Sequence, residues 1–141
     1  MTATPVSRHQ PVGLPAPSRE SHALITGASQ GIGQAMARDF AAIGFNVVLV
    51  ARREEVLSRL ADELQSRHGV EATPLAADLS QADGVDRVVD FINGHEVSIV
   101  VNSAGIASFG PFTEQDWDYE TAQFALNGTA ATALPAPQSC R

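Results

Sequence analysis

The sequence has 141 residues, a formal net charge of −7 and a pI of about 4.9. This length suits one domain with a hydrophobic core, and the acidic balance argues against a nucleic-acid or anionic-membrane surface. No apolar run approaches the length of a membrane span. The single cysteine and the scattered histidines lead us to expect a reducing, cytoplasmic location and no metal site.

The two ends of the chain differ in composition from its middle. Residues 1–20 contain four prolines among serine, threonine and alanine, without hydrophobic periodicity or the apolar core of a signal peptide. We therefore predict a flexible leader over residues 1–20 and one domain over residues 21–134. Residues 135–141 are predicted to form an irregular tail, because proline cannot continue a helix.

From His22 onward, apolar strands alternate with amphipathic helices. The predicted strands are Ala23–Ile25, Asn46–Val50, Val70–Leu75 and Val97–Val101, and the predicted helices are about Ile32–Ile43, Glu54–His68, Asp83–Asn93 and, after a turn, part of Phe112–Leu134. Such alternation predicts a parallel sheet with right-handed crossovers, and four strands give the order 3-2-1-4. The predicted fold class is α/β, a Rossmann-type doubly wound sheet truncated after about four strands.

A glycine-rich loop joins the first predicted strand to the first helix. Gly27 suits a tight turn, Gly31 permits close approach of a pyrophosphate, and Gly33 lets the helix pack near the strand. Free N–H groups at the helix start would face the phosphates. A plain strand-to-helix connection is the alternative, but the second strand lies where a βαβ unit requires it. We therefore predict dinucleotide binding by Gly27, Ser29, Gln30, Gly31, Ile32 and Gly33.

Two arginines, Arg52 and Arg53, follow the second strand, where a carboxylate would favour NAD. The alternative interpretation is that they simply begin an exposed helix, but cations are unfavourable at a helix N-terminus. Charge-assisted hydrogen bonds to a 2′-phosphate would explain their placement. We expect both arginines to bind the cofactor and NADP (NADPH) to be preferred over NAD. An S-adenosylmethionine methyltransferase needs an acidic residue after the second strand, so the arginines there also disfavour that class of enzyme.

The segment Thr26–Gly33 resembles the Thr-Gly-x-x-x-Gly-x-Gly fingerprint of the short-chain dehydrogenase/reductases, which are NAD(P)-dependent oxidoreductases. Asp78-Leu79 is similar to the family's site for the adenine amino group, although such an aspartate also suits a helix N-cap or turn. The segment 102–105 resembles Asn-Asn-Ala-Gly, with Ser103 in place of the second Asn. The resemblance implies five further cofactor-binding residues: Asp78, Leu79, Asn102, Ala104 and Gly105.

The same resemblance implies a catalytic role for Asn127. At this position the family has the Asn of its catalytic tetrad, which interrupts a helix and holds a water molecule in a proton relay. The alternative is that Asn127-Gly128 simply ends a helix, for which the pair is equally typical. The family's catalytic Ser and Tyr-x-x-x-Lys lie on later elements. The 141 residues contain no lysine, and four residues after the only tyrosine, Tyr119, stands Gln123. The resemblance therefore covers residues 21–134, the cofactor half.

The resemblance implies an NADP-dependent oxidoreductase that transfers hydride between the nicotinamide and a carbonyl or alcohol carbon of a small-molecule substrate. It also implies that this chain is a truncated form that lacks the catalytic Ser and Tyr-x-x-x-Lys residues. The alternative is a non-catalytic nucleotide-binding remnant or an interaction module. A homo-oligomer is compatible with both interpretations, because the apolar fourth strand would lack a neighbour on its outer side.

Overall fold

The computed structural model describes residues 13–134. Within this range four parallel strands form one sheet in the order β3-β2-β1-β4, which confirms the predicted fold class and topology. The strands are β1 (His22–Thr26), β2 (Asn46–Ala51), β3 (Ala72–Ala76) and β4 (Val97–Val101). Residues 1–12 of the predicted leader and all of the predicted tail lie outside the described residues.

Three long helices connect the strands, and a broken helical segment follows β4. The helices are α1 (Gly31–Ile43), α2 (Glu54–His68) and α3 (Ala82–Gly94); a 3-10 turn (Phe112–Glu114) then precedes α4 (Trp117–Phe124), a π-helix (Ala125–Ala130) and the short α5 (Ala131–Ala133). No helix within residues 13–134 is both long and apolar enough to cross a bilayer.

The two central strands are buried on both faces because helices cover each side of the sheet. Successive side chains of a strand point to opposite faces. Ile25 and Leu49 therefore pack in the core that contains α1 and α2, whereas Leu24 and Val48 pack in the core that contains α3 and the C-terminal helical segment. This two-sided burial explains why both strands appear in the sequence as continuous apolar runs.

Strand β3 begins and ends later than the sequence predicts. It covers Ala72–Ala76, and Pro74 lies inside it, in register with Leu49 of β2. The sequence predicts Val70–Leu75, so the observed strand is shifted towards the C-terminus by two residues at its start and one at its end. An edge strand tolerates proline because one row of its N–H groups has no strand partner.

Part of the predicted leader contacts the domain. Leu14 packs against the core formed with α1 and α2. The buried Asn46 donates a hydrogen bond from Nδ2 to the carbonyl oxygen of Arg19 at 2.8 Å, and its Oδ1 accepts one from the N–H of Glu71 at 2.9 Å. One amide side chain thus joins the segment before β1, the start of β2 and the segment before β3.

Strand β4 forms the other edge of the sheet and, among the described residues, pairs only with β1. Its sequence, Val-Ser-Ile-Val-Val, carries no charge, and four of its five residues are only partly buried. An uncharged apolar edge promotes pairing between chains. We expect a polypeptide of these 141 residues to sediment as dimers or larger species.

Sedimentation velocity of two lysine variants tests this expectation. Ser98→Lys should shift the distribution towards monomer, because a charge on an edge strand opposes pairing. Ser66→Lys is the matched control, since Ser66 is exposed on α2, and it should leave the distribution unchanged. A single monomeric boundary for the unsubstituted chain would contradict the prediction.

Candidate functional site

A cleft of about 670 Å³ opens where the four parallel strands end. Its walls come from the loops after the four strands and from the helical segment that begins at α4. Most residues predicted to bind the cofactor line it: Gly27, Ser29, Gln30, Gly31, Ile32, Arg52, Arg53, Asp78, Leu79, Ala104 and Gly105. Gly33, Asn102 and Asn127 lie outside this lining.

The first two glycines of the loop have left-handed backbone angles, with φ of +68° at Gly27 and +57° at Gly31. A Cβ atom on Gly27 would lie 2.8 Å from the carbonyl oxygen of Ser103, so this glycine permits close contact with the loop after β4. No atom lies within 4 Å of the corresponding position at Gly31. The main chain at Gly31 is therefore open to the cleft, as close approach of a phosphate requires.

Gly33 acts through packing rather than by lining the cleft. It is buried in the first turn of α1, and a Cβ atom there would lie 2.4 Å from the carbonyl oxygen of Gly27. The start of α1 therefore rests directly on the turn after β1. This is the close helix packing for which the sequence predicts a glycine.

Arg53 connects the end of β2 to the glycine loop. Its Nη2 donates to Oε1 of Gln30 at 2.9 Å and to Oγ of Ser29 at 3.3 Å. Arg52 also lines the cleft, and its charge acts on the carboxylate of Asp78. Both arginines are exposed, so they provide positive charge at the mouth of the cleft on its β2 side.

Asp78 follows β3 and is held in a fixed orientation. Its Oδ1 accepts hydrogen bonds from Oγ of Ser80 at 2.7 Å and from the N–H of Ser80 at 3.0 Å. The pKa of Asp78 is lowered mainly by the Ser80 hydroxyl, with further contributions from the Ser80 N–H and Arg52, against the opposing effect of burial. The carboxylate is therefore ionised at neutral pH and available as a hydrogen-bond acceptor.

Sequence reasoning missed Gly84, which positions Asp78. This glycine is buried in the first turn of α3, and a Cβ atom there would lie 2.0 Å from the carbonyl oxygen of Asp78. The start of α3 thus packs on the loop after β3 as the start of α1 packs on the glycine loop. The sequence does contain a signal for this role, because a glycine inside a predicted helix usually has a packing reason.

Sequence reasoning also missed the structural role of Thr26 at the end of β1. Its buried Oγ1 accepts hydrogen bonds from the N–H groups of Ser103 and Ala104, both at 3.0 Å, and donates to the carbonyl oxygen of Val101 at 3.3 Å. One hydroxyl therefore holds the loop after β4 against β1. Asn102 in that loop is exposed and donates from Nδ2 to the carbonyl oxygen of Ala131 at 3.3 Å.

We expect Thr26→Val to lower the free energy of unfolding by about 1–2 kcal/mol, because it leaves two backbone N–H groups without their acceptor. Urea unfolding followed by circular dichroism measures the change. Thr73→Val is the matched control, since the Thr73 hydroxyl forms no hydrogen bond within the described residues, and its effect should stay within about 0.5 kcal/mol. Equal effects of the two variants would contradict the role given to Thr26.

Asn127 lies in the π-helix, and both polar atoms of its side chain contact the backbone of Ile106. Oδ1 accepts from the Ile106 N–H at 3.1 Å, and Nδ2 donates to the Ile106 carbonyl oxygen at 2.8 Å. Asn127 also lines a second cavity of about 380 Å³. The structure thus places Asn127 at a helix interruption, and a catalytic role for it stays a prediction.

Comparison with known proteins adds independent observations. Residues 21–135 match the family model described as short chain dehydrogenase. A short chain dehydrogenase of Pseudocercospora fijiensis is 40% identical over 100 residues, which are 70% of this chain and 32% of that relative. The chain therefore spans about a third of the length of this curated relative.

Two solved structures are also similar. The bulky-bulky ketone specific alcohol dehydrogenase from Comamonas testosteroni has a TM-score of 0.79 at 35% identity, covering 83% of this chain and 47% of that one. The short-chain dehydrogenase from Sphingobium yanoikuyae in complex with NADPH has a TM-score of 0.79 at 37% identity, covering 81% of this chain and 45% of that one. In both, the similarity covers less than half of the known structure.

Proposed function

Because this chain belongs to the short-chain dehydrogenase family, whose members are oxidoreductases, we propose that it forms the NADP(H)-binding part of an enzyme that transfers hydride between the nicotinamide and a carbonyl or alcohol carbon. The observation that carries the proposal is the convergence of an open glycine loop and two exposed arginines in one cleft. The NADPH complex of the Sphingobium yanoikuyae dehydrogenase supports the cofactor, and the bulky-bulky ketone specific alcohol dehydrogenase from Comamonas testosteroni supports a carbonyl substrate.

The residues of the cleft fit a dinucleotide. Its volume of about 670 Å³ lies in the range of cofactor pockets. The N–H groups at the start of α1 would face the pyrophosphate beside Gly31, where the main chain is open. Arg52 and Arg53 would hold the 2′-phosphate, and Asp78 would accept a hydrogen bond from the adenine amino group. When bound, the cofactor supplies the hydride chemistry through its nicotinamide ring.

The location and assembly of the protein are further parts of the proposal. A single cysteine near the end of the sequence favours a reducing compartment, and we propose the cytoplasm. Among residues 13–134 the outer edge of β4 has no strand partner, and in a polypeptide of these 141 residues this edge favours contact with a second copy of the chain.

Fluorescence titration with NADPH and NADH tests the cofactor preference. We expect Arg52→Ala and Arg53→Ala each to weaken NADPH binding by roughly tenfold or more, because each removes a charge-assisted contact, and to change NADH binding little. The preference for NADPH should also decrease as salt screens the arginines.

Arg59→Ala is the matched control for these variants. Arg59 is an exposed arginine of α2, the helix that begins directly after Arg53, and it forms an ion pair with Glu55. Because Arg59 does not line the cleft, its removal should leave both affinities unchanged. Equal affinity of the unsubstituted chain for NADPH and NADH would overturn the proposed preference. An NADPH affinity that survives both arginine substitutions would overturn the roles of Arg52 and Arg53.

A further inference from the structure

The loop after β4 contains a short segment, residues 106–108, that we call the rim segment. Two side chains of α4 bind its backbone. Oη of Tyr119 donates to the carbonyl oxygen of Ala107 at 3.3 Å, and Oε1 of Gln123 accepts from the N–H of Ser108 at 2.7 Å. Residues four apart lie on the same face of a helix. One face of α4 therefore holds two successive residues of the rim segment.

The π-helix extends this attachment to the third residue. Asn127, four positions after Gln123, forms its two hydrogen bonds with the N–H and carbonyl groups of Ile106. The rim segment has no strand or helix structure of its own. Its backbone groups are therefore fixed by side chains rather than by a ladder of backbone hydrogen bonds.

The rim segment lies on the β4 side of the cleft. Gly105, Ile106 and Tyr119 all line the cleft there. The arginines follow β2, and the sheet order places β2 and β4 on opposite sides of β1. If the 2′-phosphate lies near the arginines and the pyrophosphate near the glycine loop after β1, the nicotinamide half extends towards the rim segment.

We propose that Tyr119 and Gln123 are positioning residues that hold the rim segment where it supports the nicotinamide half of NADPH. The inference rests on the proposed function, because it requires the cofactor to lie in this cleft. Tyr119 also lines the cleft itself and is 42% exposed. Loss of either hydrogen bond should loosen the β4 side of the cleft and leave the β2 side intact.

The test compares the binding of NADPH with that of 2′,5′-ADP, which lacks the nicotinamide half. Tyr119→Phe removes only the hydroxyl, and Gln123→Met removes the amide acceptor at similar length. Each variant should weaken NADPH binding by roughly two- to tenfold, the effect of one hydrogen bond, while the affinity for 2′,5′-ADP stays unchanged. The fluorescence of bound NADPH should also move towards that of free NADPH.

Thr121→Val is the matched control. It removes a hydroxyl from the same helix, but that hydroxyl donates to the Trp117 carbonyl oxygen and does not contact the rim segment. Its NADPH affinity should equal that of the unsubstituted chain. Variants of Tyr119 and Gln123 that bind both ligands normally, or that lose both equally, would overturn the inference. Failure of the unsubstituted chain to bind either ligand would instead overturn the proposed function, and this inference with it.

Discussion

Replacing Gly33 by alanine is expected to weaken NADPH binding by roughly a hundredfold and to lower the free energy of unfolding by about 3 kcal/mol. The added Cβ would lie 2.4 Å from the carbonyl oxygen of Gly27 and 2.8 Å from its carbonyl carbon. Both atoms belong to the backbone of the glycine loop. The helix can make room only by moving away from the turn that we propose binds the phosphates.

Gly94→Ala is the matched control for this variant. Gly94 is the last residue of α3, and no atom lies within 4 Å of its Cβ position. Alanine there should be neutral or stabilising by up to about 1 kcal/mol, because glycine is unfavourable in helices. Urea unfolding and NADPH titration of both variants measure the difference. A Gly33→Ala chain that matches Gly94→Ala in stability and affinity would contradict the packing argument.

A polypeptide of these 141 residues is expected to bind NADPH without oxidising it in the presence of a ketone. Reduction of a carbonyl requires a proton at the oxygen, and general acid catalysis contributes roughly 10²–10⁴-fold. A tyrosine serves as this acid near neutral pH only when a neighbouring cation lowers its pKa. The Tyr119 hydroxyl donates to the Ala107 carbonyl oxygen, and the 141 residues contain no lysine.

Absorbance of NADPH with and without ketone measures this turnover. The alcohol dehydrogenase from Comamonas testosteroni, which is described as ketone-specific, provides the positive control with the same ketone. Ketone-dependent NADPH oxidation by the 141-residue chain would contradict the prediction.

The strand order and the glycine loop could be predicted because both follow from local patterns. Strands β1 and β2 are buried on both faces, so their sequences are continuously apolar. The left-handed backbone angles at Gly27 and Gly31 favour glycine for a local reason of backbone geometry. Such features are visible in a single sequence without knowledge of distant contacts.

The features that escaped prediction depend on contacts that exist only in the folded chain. Thr26 holds Ser103 and Ala104 across more than 70 positions, and the fingerprint that begins at Thr26 does not reveal these partners. Gly84 is required by the Asp78 carbonyl oxygen, a contact that exists only when α3 is folded.

Hydrogen–deuterium exchange with and without NADPH tests the central claim, that the cleft at the strand ends is the cofactor site. We predict slower exchange on NADPH addition in three segments: the glycine loop 27–33, residues 78–80 after β3 and residues 103–106 after β4. Residues 59–68 of α2 lie outside the cleft lining and should exchange as before. Protection confined to residues 120–128 around the second cavity, or no protection at saturating NADPH, would contradict the account.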